Sequence, residues 1–281
     1  MIGTGYVGAR VLDALGPDAA VGFGRTPPAA SACRFYPLDL DREPVAVPVA
    51  MPGRILYTVP PAADNDGDLR LARLLARLTA APERFVYLST SGVYGDCVGE
   101  RVSESRQPAP LSPRAKRRLA AERLLQTWCR KSGTCCIIFR VPGIYGPGRL
   151  GVERIAAGGT FIEESDAFPG NRIHADDLAS AAIAALNRNI PDGVYNIGDG
   201  DFRSATRFAL TVARLAGLSP PQLVSRAEAE QTMPASRLSF LRESRRLDTR
   251  KMREVLGVKV KYADAEDGIR ESLRDEGRLA D

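Results

Sequence analysis

The stretch "MIGTGYVGARVLDAL" occupies residues 1–15 and places Gly3, Gly5 and Gly8 in the spacing G-x-G-x-x-G, directly before an amphipathic helical pattern. Glycines at this spacing allow a tight turn and a close approach of the backbone to a ligand, and the following helix presents its N-terminus to an anion. We expect a pyrophosphate to bind there, with Tyr6 and Val7 contributing to the same turn. A glycine-rich strand-to-helix turn without a ligand is the alternative interpretation.

Short apolar runs alternate with helical patterns through the first half of the chain. The runs lie at 19–24, 33–40, 54–60, 84–90 and 135–141, and the helical patterns lie near 6–15, 66–81 and 112–131. Such alternation predicts an α/β protein with a Rossmann-type, doubly wound parallel sheet. Only two residues precede Gly3, so we expect a truncated first strand and a native N-terminus further upstream.

The second half of the chain has a looser pattern, with proline and glycine concentrated around 142–170. Helices are predicted at 175–187, 203–217 and 264–274, and a short strand is predicted at 193–198. We therefore expect a dinucleotide-binding Rossmann domain over 1–142. A small α/β substrate lobe is expected over 143–281, with some segments returning to the Rossmann sheet.

The composition is that of a globular protein, because 44% of the 281 residues are hydrophobic and 26% are charged. No apolar run approaches the roughly 20 residues that a membrane helix needs. The five cysteines have no framework spacing, and no signal peptide is evident, so we expect a cytoplasmic protein with reduced thiols. A single histidine, His174, and the absence of a CxxC motif predict no metal site.

The charge of the chain is +5, but the basic residues are spread along it and alternate with acids. This pattern favours a solvated arginine-rich surface with local anion pockets over a nucleic-acid interface. Nucleic-acid binding stays open as a weaker interpretation.

The choice of cofactor depends on the segment "VGFGRTPP", where the second strand of a Rossmann sheet would end. A site for NAD commonly has an acid at this place, which accepts hydrogen bonds from the ribose hydroxyls. Here the segment offers Arg25 and no acid. An arginine suits the 2′-phosphate of NADP, so NADP is the predicted cofactor and NAD remains possible.

Five blocks along the chain carry a resemblance to a known family. They are "GTGYVG" (3–8), "YLSTSGVYGD" (87–96), "SPRAKRRLAAE" (112–122), "FRVPGIYGPGR" (139–149) and "NRIHADDLA" (171–179). In this order they resemble the NAD-dependent epimerase/dehydratase superfamily, the extended and atypical short-chain dehydrogenases/reductases. The form of the glycine turn resembles the YeeZ-like branch, which lacks the usual catalytic tyrosine.

The resemblance implies where the catalytic pair of the family would lie. Catalytic members carry a tyrosine and a lysine one helical turn apart, and both face the nicotinamide. Alignment on "LAAE" puts Arg114 at the tyrosine position and Arg118 at the lysine position, and it puts the supporting Ser/Thr at Thr90. Arg118 can still hold ribose hydroxyls or a phosphate, but an arginine is a poor proton donor at neutral pH.

Other candidate residues also follow from the resemblance. Tyr94, in "VYGD", is a possible substitute acid beside the nicotinamide pocket. The cofactor is expected to be contacted by Asp39 near the adenine, and by Thr58, Val59 and Pro60 near the nicotinamide ribose. The substrate half of the site is expected to include Tyr145, Arg149 and Arg172. His174 is interpreted as a structural histidine or an alternative proton carrier, and Asp176 or Asp177 is expected to cap the helix that follows it.

Two classes of function are compatible with these residues. The first is an NAD(P)-binding oxidoreductase- or epimerase-like enzyme acting on a small or nucleotide-linked substrate without the usual Tyr/Lys pair. The second is a non-catalytic protein that senses the NADP(H) redox state and binds a partner. The resemblance also implies a homodimer, formed through the helices predicted at 66–81 and 112–131.

Overall fold

Parallel strands form the centre of the computed structural model, which describes residues 1–28, 32–42, 53–63, 66–234, 238 and 243–280. In this part of the chain the strands are β1 (Val21–Gly24), β2 (Arg34–Pro37), β3 (Arg54–Tyr57), β4 (Arg84–Thr90), β5 (Arg101–Val102), β6 (Cys135–Val141), β7 (Gly143–Tyr145), β8 (Phe161–Ile162), β9 (Arg172–His174), β10 (Gly193–Asn196), β11 (Leu223–Val224) and β12 (Arg246–Leu247). The helices are α1 (Tyr6–Leu15), α2 (Leu69–Arg77), α3 (Pro113–Ser132), α4 (Val152–Ala156), α5 (Ala175–Asn187), α6 (Ala205–Leu215), α7 (Arg226–Thr232), α8 (Arg250–Glu254) and α9 (Ala265–Asp275).

The central sheet has two parts, which residue Ile2 joins. Strands β3, β4, β6 and β10 pair in the order β10-β6-β4-β3, while β1 pairs with β2, and all of these pairs are parallel. Ile2 bridges Phe23 of β1 and Tyr57 of β3 in parallel register. Residues at the start of the chain therefore occupy the central position of the sheet, directly before the glycine turn. The parallel α/β architecture predicted from the alternating pattern is confirmed.

Helices cover both faces of this sheet because successive strand residues point to opposite sides. Val86 of β4 belongs to a buried cluster with α1 and α5, whereas its neighbour Phe85 belongs to a second cluster with α2 and α3. A third cluster joins Tyr145 to α6 and α9. The short parallel pairs β5–β12, β7–β9 and β8–β11 lie outside the central sheet.

The helix bounds follow the sequence patterns closely where a cap is present. Helix α3 begins after Ser112, whose hydroxyl accepts a hydrogen bond of 3.2 Å from the backbone N–H of Ala115, and it ends at Gly133 in the left-handed conformation. Helix α2 is shorter than the predicted 66–81, because Asp68 caps its start and Leu78 is already extended. Strand β3 likewise ends at Tyr57 rather than at 60.

Candidate functional site

A cavity of about 570 Å³ opens at the carboxyl ends of the parallel strands. In the doubly wound fold this edge of the sheet is where ligands bind. Eleven of the residues predicted for the site line it: Gly3, Gly5, Tyr6, Val7, Arg25, Asp39, Thr58, Val59, Pro60, Arg118 and Arg149. The structure thus brings together the glycine turn and the segments that follow β1, β2 and β3.

The glycine turn has the shape of a cradle for an anion. Gly3 has a φ of +92°, which only glycine adopts readily, and a Cβ on Gly8 would collide with the carbonyl oxygen of Gly3. A Cβ on Gly5 would meet no atom within 4 Å, so this glycine faces open space. Gly5 is also the N-cap of α1 and offers no side-chain cap, which leaves N–H groups of the first turn available to a ligand. Gly8 therefore packs against the backbone of Gly3, whereas Gly5 faces the cavity.

The charged groups near the end of β2 surround one carboxylate. Arg70 donates two hydrogen bonds of 2.6 Å to Asp41, and Arg25 lies 3.8 Å from the same side chain. The hydrogen bond with Arg70 is the main reason that the pKa of Asp41 is lowered from its ordinary value. Asp39 lines the cavity as well and pairs with Arg42 at 3.4 Å.

Tyr6 and Arg149 form the other wall of this cavity. The guanidinium of Arg149 stacks over the Tyr6 ring at 4.0 Å, and the Tyr6 hydroxyl donates a hydrogen bond of 2.8 Å to the carbonyl of Pro147. Burial is the main cause that raises the pKa of Tyr6. Arg149 was predicted for the substrate half, but the structure places it against the glycine turn, because the loop after β7 folds back onto α1.

A second cavity of about 540 Å³ adjoins the first. Both cavities share four lining residues, Ser89, Arg118, Val141 and Ile144. Arg118 is held at this junction by hydrogen bonds from Nη1 of 2.8 Å to the Leu88 carbonyl and 3.0 Å to the Tyr87 hydroxyl. The two cavities therefore meet at the end of β4, where α3 lies against the sheet.

Three more of the predicted residues line the second cavity: Thr90, Arg114 and Arg172. The Thr90 hydroxyl oxygen accepts a hydrogen bond of 3.2 Å from the Gly92 N–H, so its own hydrogen can be donated elsewhere. Arg114 lies one helical turn before Arg118, and burial lowers its pKa. The guanidinium of Arg172 is buried and donates hydrogen bonds of 2.6 and 2.9 Å to the carbonyls of Arg203 and Ser204.

Tyr94 lines neither cavity and belongs to a buried polar network. Its hydroxyl donates a hydrogen bond of 2.7 Å to Asn196, and the Arg140 guanidinium stacks over its ring at 4.7 Å. Arg140 in turn forms an ion pair of 2.8 Å with Glu122, which accepts a hydrogen bond of 2.5 Å from Ser89. Because the Tyr94 phenol is enclosed by this network, the hypothesis that it replaces the family's proton donor is not retained.

Tyr145 and His174 are also enclosed by protein. Tyr145 packs edge-on against His174 at 5.1 Å, and burial raises the pKa of its phenol. His174 is itself the N-cap of α5, because its Nδ1 accepts a hydrogen bond of 3.2 Å from the Asp176 N–H. The expectation that Asp176 or Asp177 caps this helix is wrong, since Asp177 instead accepts from the backbone of Lys261 and Tyr262. His174 lines neither cavity, and burial lowers its pKa.

Several residues in and around the site were missed by sequence reasoning. Glu122 lines neither cavity, but its place in the buried network could have been found, because it lies one helical turn beyond Arg118 on the face of α3 that meets the sheet. Glu243 and Arg245 line the second cavity, but they come from a segment far along the chain with no periodic pattern. Their position depends on β12 pairing with β5, which the sequence does not indicate.

The described ranges contain neither a cluster of metal ligands nor a membrane-spanning helix. No group of three or more His, Cys, Asp or Glu side chains in these ranges could hold a metal ion. No helix in the part of the chain that the structure describes is both long and apolar enough to cross a membrane. The described cysteines form no disulfide, and Cys97, Cys129 and Cys136 are buried.

The fold and the glycine turn together define a dinucleotide-binding protein of the Rossmann type. Residues 62–198 match the model of the NAD dependent epimerase/dehydratase family. The resemblance seen in the motifs is confirmed: these residues form a domain of the epimerase/dehydratase type.

Curated relatives match only part of their own length. An uncharacterized protein, y4nG, of Sinorhizobium fredii is 34% identical over 128 residues, which are 43% of this chain and 32% of the relative. The dTDP-D-glucose 4,6-dehydratase of Mus musculus is 28% identical over 149 residues, 50% of this chain and 40% of the enzyme. Protein YeeZ of Escherichia coli is 30% identical over 141 residues, 50% of this chain and 48% of YeeZ. The chain thus spans a third to a half of these relatives.

Solved structures match over nearly the whole chain. A conserved protein of unknown function from Silicibacter pomeroyi superposes with a TM-score of 0.83 at 29% identity and covers 99% of this chain and 98% of its own. MoeE5 in complex with UDP-glucose and NAD has a TM-score of 0.77 at 22% identity, with coverages of 99% and 97%. UDP-glucose 4-epimerase of Thermus thermophilus with NAD has a TM-score of 0.75 at 21% identity, with coverages of 98% and 98%. At these identities the last two establish the fold.

Proposed function

We propose that this protein binds a nicotinamide dinucleotide, NADP in preference to NAD, in the first cavity and acts on a small or nucleotide-linked substrate in the second. The observation that carries the proposal is the glycine turn. Gly5 faces open space at the uncapped N-terminus of α1, and the cavity that it faces has a volume of about 570 Å³. A pyrophosphate there would meet backbone N–H groups and the positive end of the helix dipole.

The preference for NADP is supported by the charges around the end of β1. Arg25 is 68% exposed and lines the first cavity, whereas Asp41 is engaged by Arg70. Because Arg70 already pairs with Asp41, this carboxylate is a weaker acceptor for ribose hydroxyls than an unengaged acid would be. A 2′-phosphate beside Arg25 would gain a charge-assisted contact.

The junction of the two cavities supports the assignment of the second cavity to the substrate. The nicotinamide supplies hydride transfer when it is bound. Around it, Thr90 can donate its hydroxyl hydrogen to a substrate oxygen, and Arg118 can hold ribose or phosphate oxygens at the boundary. Arg114 stands at the position of the family's tyrosine and can stabilise negative charge on that oxygen, although it cannot release a proton at neutral pH.

A second candidate function is a non-catalytic NADP(H) sensor that binds a partner according to the redox state. The enclosure of Tyr94 and His174 favours it, because neither titratable group can reach a ligand in the second cavity. Such a sensor requires different affinities for NADP and NADPH, since a ligand with equal affinity for two states shifts nothing.

We further propose that the chain divides into a cofactor-binding domain and a substrate lobe, and that it forms a homodimer. We assign residues 1–142 to cofactor binding and 143–281 mainly to the substrate lobe. Pairing of β10 with β6 supports a return of the second segment to the central sheet. Leu69 of α2 and Leu124 of α3 are exposed, which supports a homodimer through these helices. Light scattering of the purified protein tests the dimer.

Calorimetric titration with NAD, NADH, NADP and NADPH tests the proposed function. We expect saturable binding of all four, with tighter binding of the two phosphorylated forms. No binding of any form would remove the proposal. Turnover of NADPH against carbonyl and nucleotide-sugar panels would favour the enzyme. Unequal affinities for NADP and NADPH without turnover, and a partner captured by only one form, would favour the sensor.

A further inference from the structure

The second cavity is strongly positive. Among its described lining residues are four arginines, Arg114, Arg118, Arg172 and Arg245, and a single acid, Glu243. The lining therefore carries an excess of three positive charges. This excess is larger than a neutral hydroxyl or carbonyl compound would require.

Two of the four guanidinium groups are held by neutral acceptors. Arg118 and Arg172 donate to carbonyl and hydroxyl oxygens, which fix their positions and carry no opposite charge, although Asp199 lies near Arg172 outside the cavity lining. Arg245 donates to the carbonyl of Gly95 and, at 2.8 Å, to the carboxylate of Glu243. Glu243 is consequently the internal counter-ion of the cavity, as far as the described lining residues show.

Glu243 also acts on Arg114. Burial lowers the pKa of Arg114, and the negative charge of Glu243 opposes this effect. The Glu243 side chain is only 8% exposed although it lines a cavity, so it is screened less by solvent than a surface acid would be. The same carboxylate thus compensates Arg245 by contact and Arg114 by its field.

We propose that the second cavity binds an oxyanion of the substrate, a carboxylate or a phosphate, beside Arg114 and Arg245, and that Glu243 competes with this group as an internal counter-ion. The proposal relies on the proposed function only for calling the ligand a substrate. It places an anionic group at the position that the family's tyrosine would occupy, and it gives Arg114 a binding role where it cannot transfer a proton. The competition follows because Glu243 already accepts a hydrogen bond from Arg245 and, as a like charge, repels a second anion placed beside it.

Glu243→Gln provides the test, since the amide oxygen can still accept the hydrogen bond from Arg245 while the negative charge is removed. The probes are lactate, glycerol 3-phosphate and the uncharged lactate analogue 1,2-propanediol, titrated by ligand-observed NMR without dinucleotide. We expect the variant to bind at least one anion about tenfold more tightly than the wild type, as loss of a competing charge of this kind predicts. The affinity for the uncharged diol should not change when the charge of Glu243 is removed. The anion whose affinity rises more in the variant shows whether the cavity prefers a carboxylate or a phosphate.

Glu230→Gln is the matched control, because Glu230 is exposed on α7, lies outside both cavities and changes the net charge equally. Arg114→Ala, at a partly exposed position of α3, should weaken the binding of the same anion. This second variant keeps the test decisive if Glu243→Gln does not fold. The proposal is overturned if neither anion binds saturably, if both Glu→Gln variants behave alike, or if Arg114→Ala binds as the wild type does. Because no dinucleotide is present, failure here is distinct from failure of the cofactor titration.

Discussion

Arg70 and Asp41 form a bidentate ion pair in which two guanidinium nitrogens each lie 2.6 Å from a carboxylate oxygen. The pair links α2 to the segment after β2 at the rim of the first cavity. Arg25, which is 3.8 Å from the same carboxylate, is thereby a secondary partner of Asp41. This geometry makes the charge of Arg25 available to a phosphate.

Replacement of Arg25 should therefore change the cofactor preference. A charge-assisted contact contributes about 1.5–3 kcal/mol, so Arg25→Ala should lose roughly 10- to 150-fold of the affinity for NADP. Binding of NAD should change little. Titration calorimetry of both dinucleotides measures this, and Arg34→Ala, an exposed arginine of β2 outside the cavity, is the control. A wild-type protein that prefers NAD would contradict the assignment.

Gly5→Ala tests the phosphate cradle without disturbing the fold. The added methyl group meets no protein atom within 4 Å, and the φ of −74° suits alanine, so the fold should be kept with a loss of at most about 1 kcal/mol, because glycine is preferred over alanine at an N-cap. The same methyl group would occupy space next to the pyrophosphate, and dinucleotide affinity should fall at least about tenfold. Gly53→Ala, which also meets no atom within 4 Å and lies outside this cavity, is the matched control. Equal cofactor affinities in the two variants would place the pyrophosphate elsewhere.

Sequence reasoning succeeded where local signals coincide. The glycine turn and the apolar period after it predicted α1 at its observed bounds of Tyr6–Leu15, and the alternating runs predicted the parallel sheet. The positions around the first cavity could be predicted because the ends of parallel strands meet at one edge of the sheet. Asp41 and Arg70 were not recognised as a pair, since they lie 29 positions apart and meet only when α2 packs against the sheet.

The second cavity was less predictable because its lining depends on tertiary packing. The guanidinium of Arg149 stacks on Tyr6, and this contact places Arg149 in the lining of the first cavity and not of the second. Tyr94 follows a strand end in the sequence, but Asn196 and Arg140 enclose it only after β10 has joined the sheet. Glu243 has no local pattern at all, and only the fold brings it to Arg114 and Arg245.

Replacing the two arginines of α3 one at a time should have different effects on dinucleotide binding. Arg118→Ala should weaken dinucleotide binding, because Arg118 lines both cavities, whereas Arg114→Ala should leave it intact, because Arg114 lines only the second. The loss for Arg118 should be about tenfold, as expected for a charge-assisted hydrogen bond. Calorimetry with NADP and a melting curve for each variant check this. Wild-type affinity for NADP in both variants would mean that the two arginines of α3 have no role in binding the cofactor.

Asp199 is a buried acid that is only 2% exposed. Burial raises its pKa to about 7, and its Oδ1 accepts a hydrogen bond of 2.9 Å from the Asp201 N–H. Because the unfolded chain releases this proton near pH 4, the folded state binds more protons between about pH 4 and 7, and its stability falls as the pH rises through that range. Above the pKa of Asp199 in the folded state, the free energy of unfolding is lowered by the full amount, at most about 4 kcal/mol.

Asp199→Asn should remove this pH dependence, because the amide keeps the oxygen that accepts from Asp201 and carries no charge. Compared with the wild type, the variant should gain free energy of unfolding progressively from pH 5 to pH 8. Urea denaturation at several pH values measures the difference, with the exposed Asp192→Asn as a control for net charge. Since Arg172 lies near Asp199 and also lines the second cavity, the ionised form is partly compensated, and the observed gain should fall below the upper bound. A difference between variant and wild type that does not vary with pH would mean that Asp199 does not titrate in this range.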